Sequence, residues 1–242
     1  MKTPFKRFLL VLTALAAGSV ASVYPQTNQQ PQKFSTRITK TVSTEYLLYL
    51  PTDYNTDKKK RWPLVLFLHG AGERGSDLNK VKIHGPPKLV AAGREFPFIL
   101  VSPQCADRRW WDADVLDALL GDISKRYRVD KTRVYCTGLS MGGFGTWELA
   151  AAHPSRFAAI APICGGGDPT TVARFKDIPA WVFHGAKDPV VKPEESRKMV
   201  DAIEKAGGNV KLTIYPDADH DSWTRTYDNS EFYDWLLSQR RK

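Results

Sequence analysis

Six short apolar runs mark the chain from about residue 62 onward, and they lack the apolar–polar alternation of half-exposed strands. They are Leu64–Leu68, Phe98–Val101, Val134–Thr137, Phe157–Ile163, Ala180–Phe183 and Val210–Tyr215. A strand covered on both faces reads as a continuous apolar run. Between the runs, apolar residues take up helical spacing: Val115, Leu116, Leu119, Leu120 and Ile123, then Met199, Val200 and Ile203, then Phe232, Trp235 and Leu236. Parallel strands need crossovers, so the alternation predicts an α/β fold with a mostly parallel sheet covered by helices on both faces. Arg37–Val42 and Thr44–Leu50 alternate more, which predicts an antiparallel hairpin of N-terminal edge strands. No internal repeat is visible, and one domain over 36–242 accounts for the pattern.

The ends of the chain read differently. Lys2, Lys6 and Arg7 precede an apolar run from Phe8 to Ala17, and Ser19-Val20-Ala21 fits a small-residue cleavage site. Residues 1–21 therefore read as an export signal peptide, too short in its apolar part for a membrane span, and 22–35 as a polar linker. The expected location is secreted or periplasmic, with no stable membrane insertion once the leader is removed. The formal charge of +9 first suggests an acidic partner. Three of those charges lie in the leader and three in Arg240, Arg241 and Lys242, which leaves +3 on the body. With no basic stripe interleaved with aromatics, no nucleic-acid partner is expected. The three cysteines are an odd number for an exported chain. Cys136 sits inside an apolar run, Cys105 and Cys164 follow such runs, and no disulfide is the favoured reading.

The chemistry concentrates after the third of these runs. Val134–Thr137 leads into Gly138-Leu139-Ser140-Met141-Gly142-Gly143, and a helical pattern follows from Phe144 to Ala152. In a strand–turn–helix setting, a G-x-S-x-G sequence holds the serine in a strained turn with its hydroxyl projecting, and glycines sit where a Cβ would collide. A nucleophilic serine needs a base and a group that orients the base. Of the five histidines, His220 stands in the loop between the last strand run and the terminal helix. Asp188 follows the run that ends near His184, and the order Ser140, Asp188, His220 is one that acyl-transfer enzymes use. Asp217, Asp219 and Asp221 compete for the orienting role, but they lie too near His220 in sequence to aim squarely at its Nδ1. The D-x-D-H-D cluster lacks a second histidine at ligand spacing, so neither a metal nor a cofactor is expected.

These residues resemble the α/β-hydrolase superfamily. Within it, the chain is similar to exported esterases of the predicted-peptidase, polyhydroxybutyrate-depolymerase-like and feruloyl-esterase-like group. The resemblance rests on Leu68-His69-Gly70-Ala71-Gly72-Glu73-Arg74-Gly75, Ser102-Pro103-Gln104-Cys105 with Trp110-Trp111, and Gly138–Gly143. It continues through Cys164-Gly165-Gly166-Gly167-Asp168, Phe183–Asp188 and His220-Asp221-Ser222-Trp223. It implies a serine ester hydrolase working through an acyl-enzyme, with the backbone N–H groups of Met141 and Ala71 (Gly72 as second choice) forming the oxyanion hole. Glu73 and Arg74 are expected to hold that loop, to contact an acidic substrate group, or to be a solvated turn pair. Trp110, Trp111 and Trp223 are candidate substrate-binding residues, with one of the adjacent pair in the core and one at the surface. The roughly fifteen residues between Cys164 and Ala180 are too few for a lid domain, so an open site is expected, suited to short-chain, carbohydrate-linked or phenolic esters. The alternatives are a peptidase of the same fold and a non-catalytic polymer-binding homologue.

Overall fold

In the computed structural model the described residues are 32–37 and 39–241. The expected export leader, 1–21, and most of the expected linker, 22–35, lie outside them. The chain divides into two units, Met1–Lys40 and Thr41–Lys242. The described residues of the first carry no regular secondary structure; the second holds every described element.

That second unit is built on seven strands: β1 (Tyr46–Tyr49), β2 (Trp62–Leu68), β3 (Ile99–Pro103), β4 (Val129–Leu139), β5 (Ala159–Ile163), β6 (Ala180–Gly185) and β7 (Val210–Tyr215). They form one sheet in the order β1-β3-β2-β4-β5-β6-β7. Every pairing is parallel except β1 with β3. The helices are α1 (Gly85–Ala91), α2 (Ala113–Arg126), α3 (Met141–Ala152), α4 (Pro193–Lys205), α5 (Trp223–Asp228) and α6 (Ser230–Ser238).

The unalternating runs follow from the two cores. Along β2, Leu64, Leu66 and Leu68 point into a cluster with Leu116 and Ile123 of α2, Trp147 and Leu149 of α3, and Met199 and Ile203 of α4. Val65 and Phe67, on the opposite face, join Tyr227 of α5 and Phe232 and Leu236 of α6. Directions alternate while polarity does not, because both faces are covered. Each large side chain buried in this way contributes about 1.5–3 kcal/mol.

Two expectations are corrected at the edges. The antiparallel edge strand forms, but its hairpin partner does not: among the described residues of 37–42 none is in a strand. Arg37, Thr39 and Lys40 are exposed, so that stretch offers little apolar surface to bury. At the far edge, β7 has no fully buried residue, since it is the last strand of the sheet.

All the parallel strands run the same way, so the segments leaving β2, β4, β5, β6 and β7 emerge at one edge of the sheet. In open parallel sheets that edge carries the ligand site. Between β5 and β6 the chain makes only a 3-10 turn, Pro169–Arg174, and no lid.

Candidate active site

Ser140 sits between β4 and α3 with φ 52° and ψ −116°, in the region that favours glycine. Its N–H donates to the Ile163 carbonyl at 2.9 Å, which ties the turn to the neighbouring strand. The surrounding glycines are required by close approach. A Cβ on Gly142 would lie 2.0 Å from the Leu68 carbonyl oxygen, and one on Gly138 would lie 2.4 Å from the Gly142 oxygen. The elbow and the loop after β2 are thus pressed backbone to backbone.

Three side chains from separate strand ends meet here. His220 Nε2 lies 3.1 Å from Ser140 Oγ, and His220 Nδ1 lies 2.7 Å from Asp188 Oδ2. The other carboxylate oxygen, Oδ1, accepts the N–H groups of Val190 and Val191 at 2.8 and 2.9 Å. Burial pushes the Asp188 carboxyl up, but the His220 hydrogen bond and these two amides outweigh it, and the net shift is downward. Of the competing acids, Asp217 pairs with Arg225, Asp219 accepts the Asp221 N–H, and Asp221 accepts from Thr224. None of them is recorded on the ring of His220.

Met141 opens α3, and Ala71 opens a 3-10 turn, Ala71–Glu73. The first N–H of a helical segment has no partner within it, so each expected oxyanion donor occupies a position where an amide is left over. The Ala71 peptide is braced: Arg74 Nε donates to its carbonyl at 2.9 Å, and Arg74 Nη1 reaches the Arg109 carbonyl at 3.3 Å. Gln104 Nε2 donates to the Glu73 and Asp77 carbonyls.

His69 carries a role that the sequence reading missed. Fully buried, it accepts the Cys105 N–H at Nε2 (3.0 Å), so its proton is on Nδ1, 2.6 Å from the Gly70 carbonyl. Burial pushes its pKa down to about 4, so the ring is neutral in ordinary buffers. It pins the loop after β2 to the segment after β3.

The tryptophans separate. Trp110 is 63% exposed and meets Phe144 edge to face, beside a cleft of about 480 Å³ lined also by Glu148, Asp168, Thr171 and Arg174. Trp111 does not line the site. It is buried, its Nε1 donates to the His69 carbonyl at 3.2 Å, and a Cβ on Gly145 would strike its ring. Trp223 is also buried and sets its ring edge-on to both His220 and His84. It shapes the base rather than an open surface.

All three cysteines are free and buried. Cys164 follows β5 with φ 41°, and its donor atom lies within 4.8 Å of those of Asp188 and His220. That trio does not suit a metal ion. The imidazole nitrogens of His220 are engaged by Ser140 and Asp188, and burial pushes the thiol up to about 12, whereas a ligand must be a thiolate.

The strand order, the elbow at Ser140 and the side chains gathered at the sheet edge define an α/β-hydrolase. A family model described as the dienelactone hydrolase family matches residues 105–233, and the chain belongs to that family. It is 24% identical over 204 residues to a probable feruloyl esterase C of Aspergillus terreus, covering 82% of this chain and 72% of that protein. A crystal structure of a thermostable esterase superposes with a TM-score of 0.69 at 38% identity, over 83% of this chain and 60% of the other. The feruloyl esterase module of Clostridium thermocellum, complexed with sinapinate, superposes at 0.60 with 16% identity over 81% of this chain and 87% of that one, a likeness of fold alone. Together the family and the relatives make the chain a carboxylic ester hydrolase.

Proposed function

We propose that the chain is an exported serine esterase that cleaves short acyl or phenolic esters, among them those carried on carbohydrate polymers. The observation that carries the reading is the unbroken contact from Ser140 Oγ through the His220 ring to the Asp188 carboxylate. Ser140 Oγ attacks the ester carbonyl as His220 Nε2 takes its proton, and Asp188 stabilises the imidazolium. The tetrahedral oxyanion is held by the Met141 and Ala71 N–H groups, each donor of this kind being worth about 10²–10³ in rate. The imidazolium returns its proton to the leaving alkoxide. Water, activated by the same ring, then releases the acid from Ser140.

The short β5–β6 connection supports access for bulky esters, since it holds a single 3-10 turn and no inserted lid. Trp110 and Phe144, set edge to face, supply an aromatic wall, and Glu148, Asp168 and Arg174 a polar rim, suited to a phenolic ring or a sugar face. Export is supported by the leader pattern of residues 1–21. Among the described residues no helix is long and apolar enough to cross a membrane.

Hydrolysis of p-nitrophenyl butyrate by Ser140→Ala tests the mechanism: activity at the wild-type level would sink it. Methyl ferulate, acetylated xylan and p-nitrophenyl esters of increasing chain length, compared by kcat/KM, test the substrate class. A preference for long-chain esters over all the others would overturn that part.

A further inference from the structure

The Asp188 carboxylate serves two histidines. Besides His220, its Oδ2 lies 3.1 Å from Nε2 of His184, the penultimate residue of β6. Both side chains are wholly buried. His184 Nε2 also lies 2.8 Å from the Val191 carbonyl. A carboxylate and a carbonyl can only accept, so Nε2 carries a hydrogen and donates. On the other side of the ring, Nδ1 lies 2.7 Å from Ser196 Oγ on α4, and that hydroxyl lies 3.1 Å from the Gly165 carbonyl. Gly165 in turn lies against the first turn of α3, where a Cβ on it would meet Gly143 and Phe144 at 2.6–2.7 Å. The hydrogen-bonded line from the nucleophile therefore continues past the acid to Ser196 of α4, beside the Gly165 that packs on the first turn of α3.

We propose that His184 is a positioning residue of this site: by donating to the oxygen that also receives His220, it sets how much of the Asp188 charge the base experiences. The inference rests on the reading of Ser140, His220 and Asp188 as the catalytic groups. Every lone pair of Asp188 then has a donor, from His184, His220, Val190 and Val191. The other titratable groups nearby are the Cys164 thiol, kept neutral by burial, and the exposed Asp221, which accepts from Thr224. Removing the His184 donor leaves more of the negative charge to His220, whose imidazolium then persists to higher pH.

The test is the pH profile of kcat/KM for p-nitrophenyl butyrate in His184→Leu, His184→Gln and Ser196→Ala, with thermal melts to show folding. The acid limb reports the base of the free enzyme. In His184→Leu it moves up by roughly half a pH unit or more, while kcat falls about tenfold and KM stays near wild type. His184→Gln, whose amide nitrogen reaches the place of Nε2, returns the limb toward wild type. Ser196→Ala shifts it less and in the same direction. An unmoved limb in both His184→Leu and Ser196→Ala makes His184 a core residue and overturns the proposal, and if His184→Leu does not fold, Ser196→Ala decides alone. Loss of activity in Ser140→Ala together with an unmoved limb sinks only the role of His184; retained activity in Ser140→Ala sinks the reading beneath it.

Discussion

Arg74 Nε donates to the carbonyl oxygen of Ala71 at 2.9 Å, so the side chain three residues on clamps the peptide that follows the expected oxyanion donor. The same guanidinium reaches the Arg109 carbonyl, which joins the loop after β2 to the segment carrying Trp110. Without it, the Ala71 N–H would have to be ordered during the reaction instead of before it. Arg74→Ala is expected to lower kcat on p-nitrophenyl butyrate by about tenfold with little change in KM, and lysine, lacking the fork, not to restore it. A wild-type kcat in Arg74→Ala would remove the loop from the argument.

Glycines at the elbow and in the loop after β2 differ sharply in what they tolerate. A methyl group on Gly142 would meet the Leu68 carbonyl at 2.0 Å, while one on Gly72 meets nothing within 4 Å. Gly142→Ala should therefore cost on the order of 2–4 kcal/mol or fail to fold. Gly72→Ala should be neutral or stabilising by about 0.5 kcal/mol. Urea unfolding of the two variants distinguishes them, and equal effects would contradict the backbone contact.

His69 makes stability depend on pH. Its folded pKa, lowered to about 4, lies below the unfolded value near 6.5, so the unfolded chain binds the extra proton in between. Stability should fall as pH drops from about 6.5 to 4, by about 3 kcal/mol from this residue. A pH series of urea midpoints should show this slope in the wild type and a flatter one in His69→Gln. The same slope in both would place the dependence elsewhere.

Trp110 and Trp111 should separate binding from folding. Trp111→Ala removes a buried ring and should destabilise by about 3–5 kcal/mol. Trp110→Ala should leave the melting temperature close to wild type and raise KM for methyl ferulate several-fold, with p-nitrophenyl acetate little affected. An unchanged KM for methyl ferulate would exclude the aromatic wall from substrate contact.

Much of the fold was legible because both faces of the sheet are covered. Leu64–Leu68, Val134–Thr137 and Ala180–Phe183 could be little else than buried strands, and each lies inside one. The reading weakened at the sheet edges, where coverage ends: none of the described residues of 37–42 is in a strand, and β7 is only half-buried. The elbow was legible because its glycines answer a local steric demand. His69 and His184 were not, since each merely precedes a glycine at a strand end and its partners come from elsewhere in the chain.

Local order therefore determined the strand and helix types and the turn at Ser140. These depend on residues near one another in sequence, where periodicity and backbone sterics act directly. Only the tertiary structure decided which of Trp110 and Trp111 faces solvent. It set on the His220 ring the Asp188 that chain order and geometry favoured over the nearer Asp217, Asp219 and Asp221. It also gave that carboxylate a second histidine. Those outcomes are set by where separate strand ends meet and by which donors burial leaves in reach of one another.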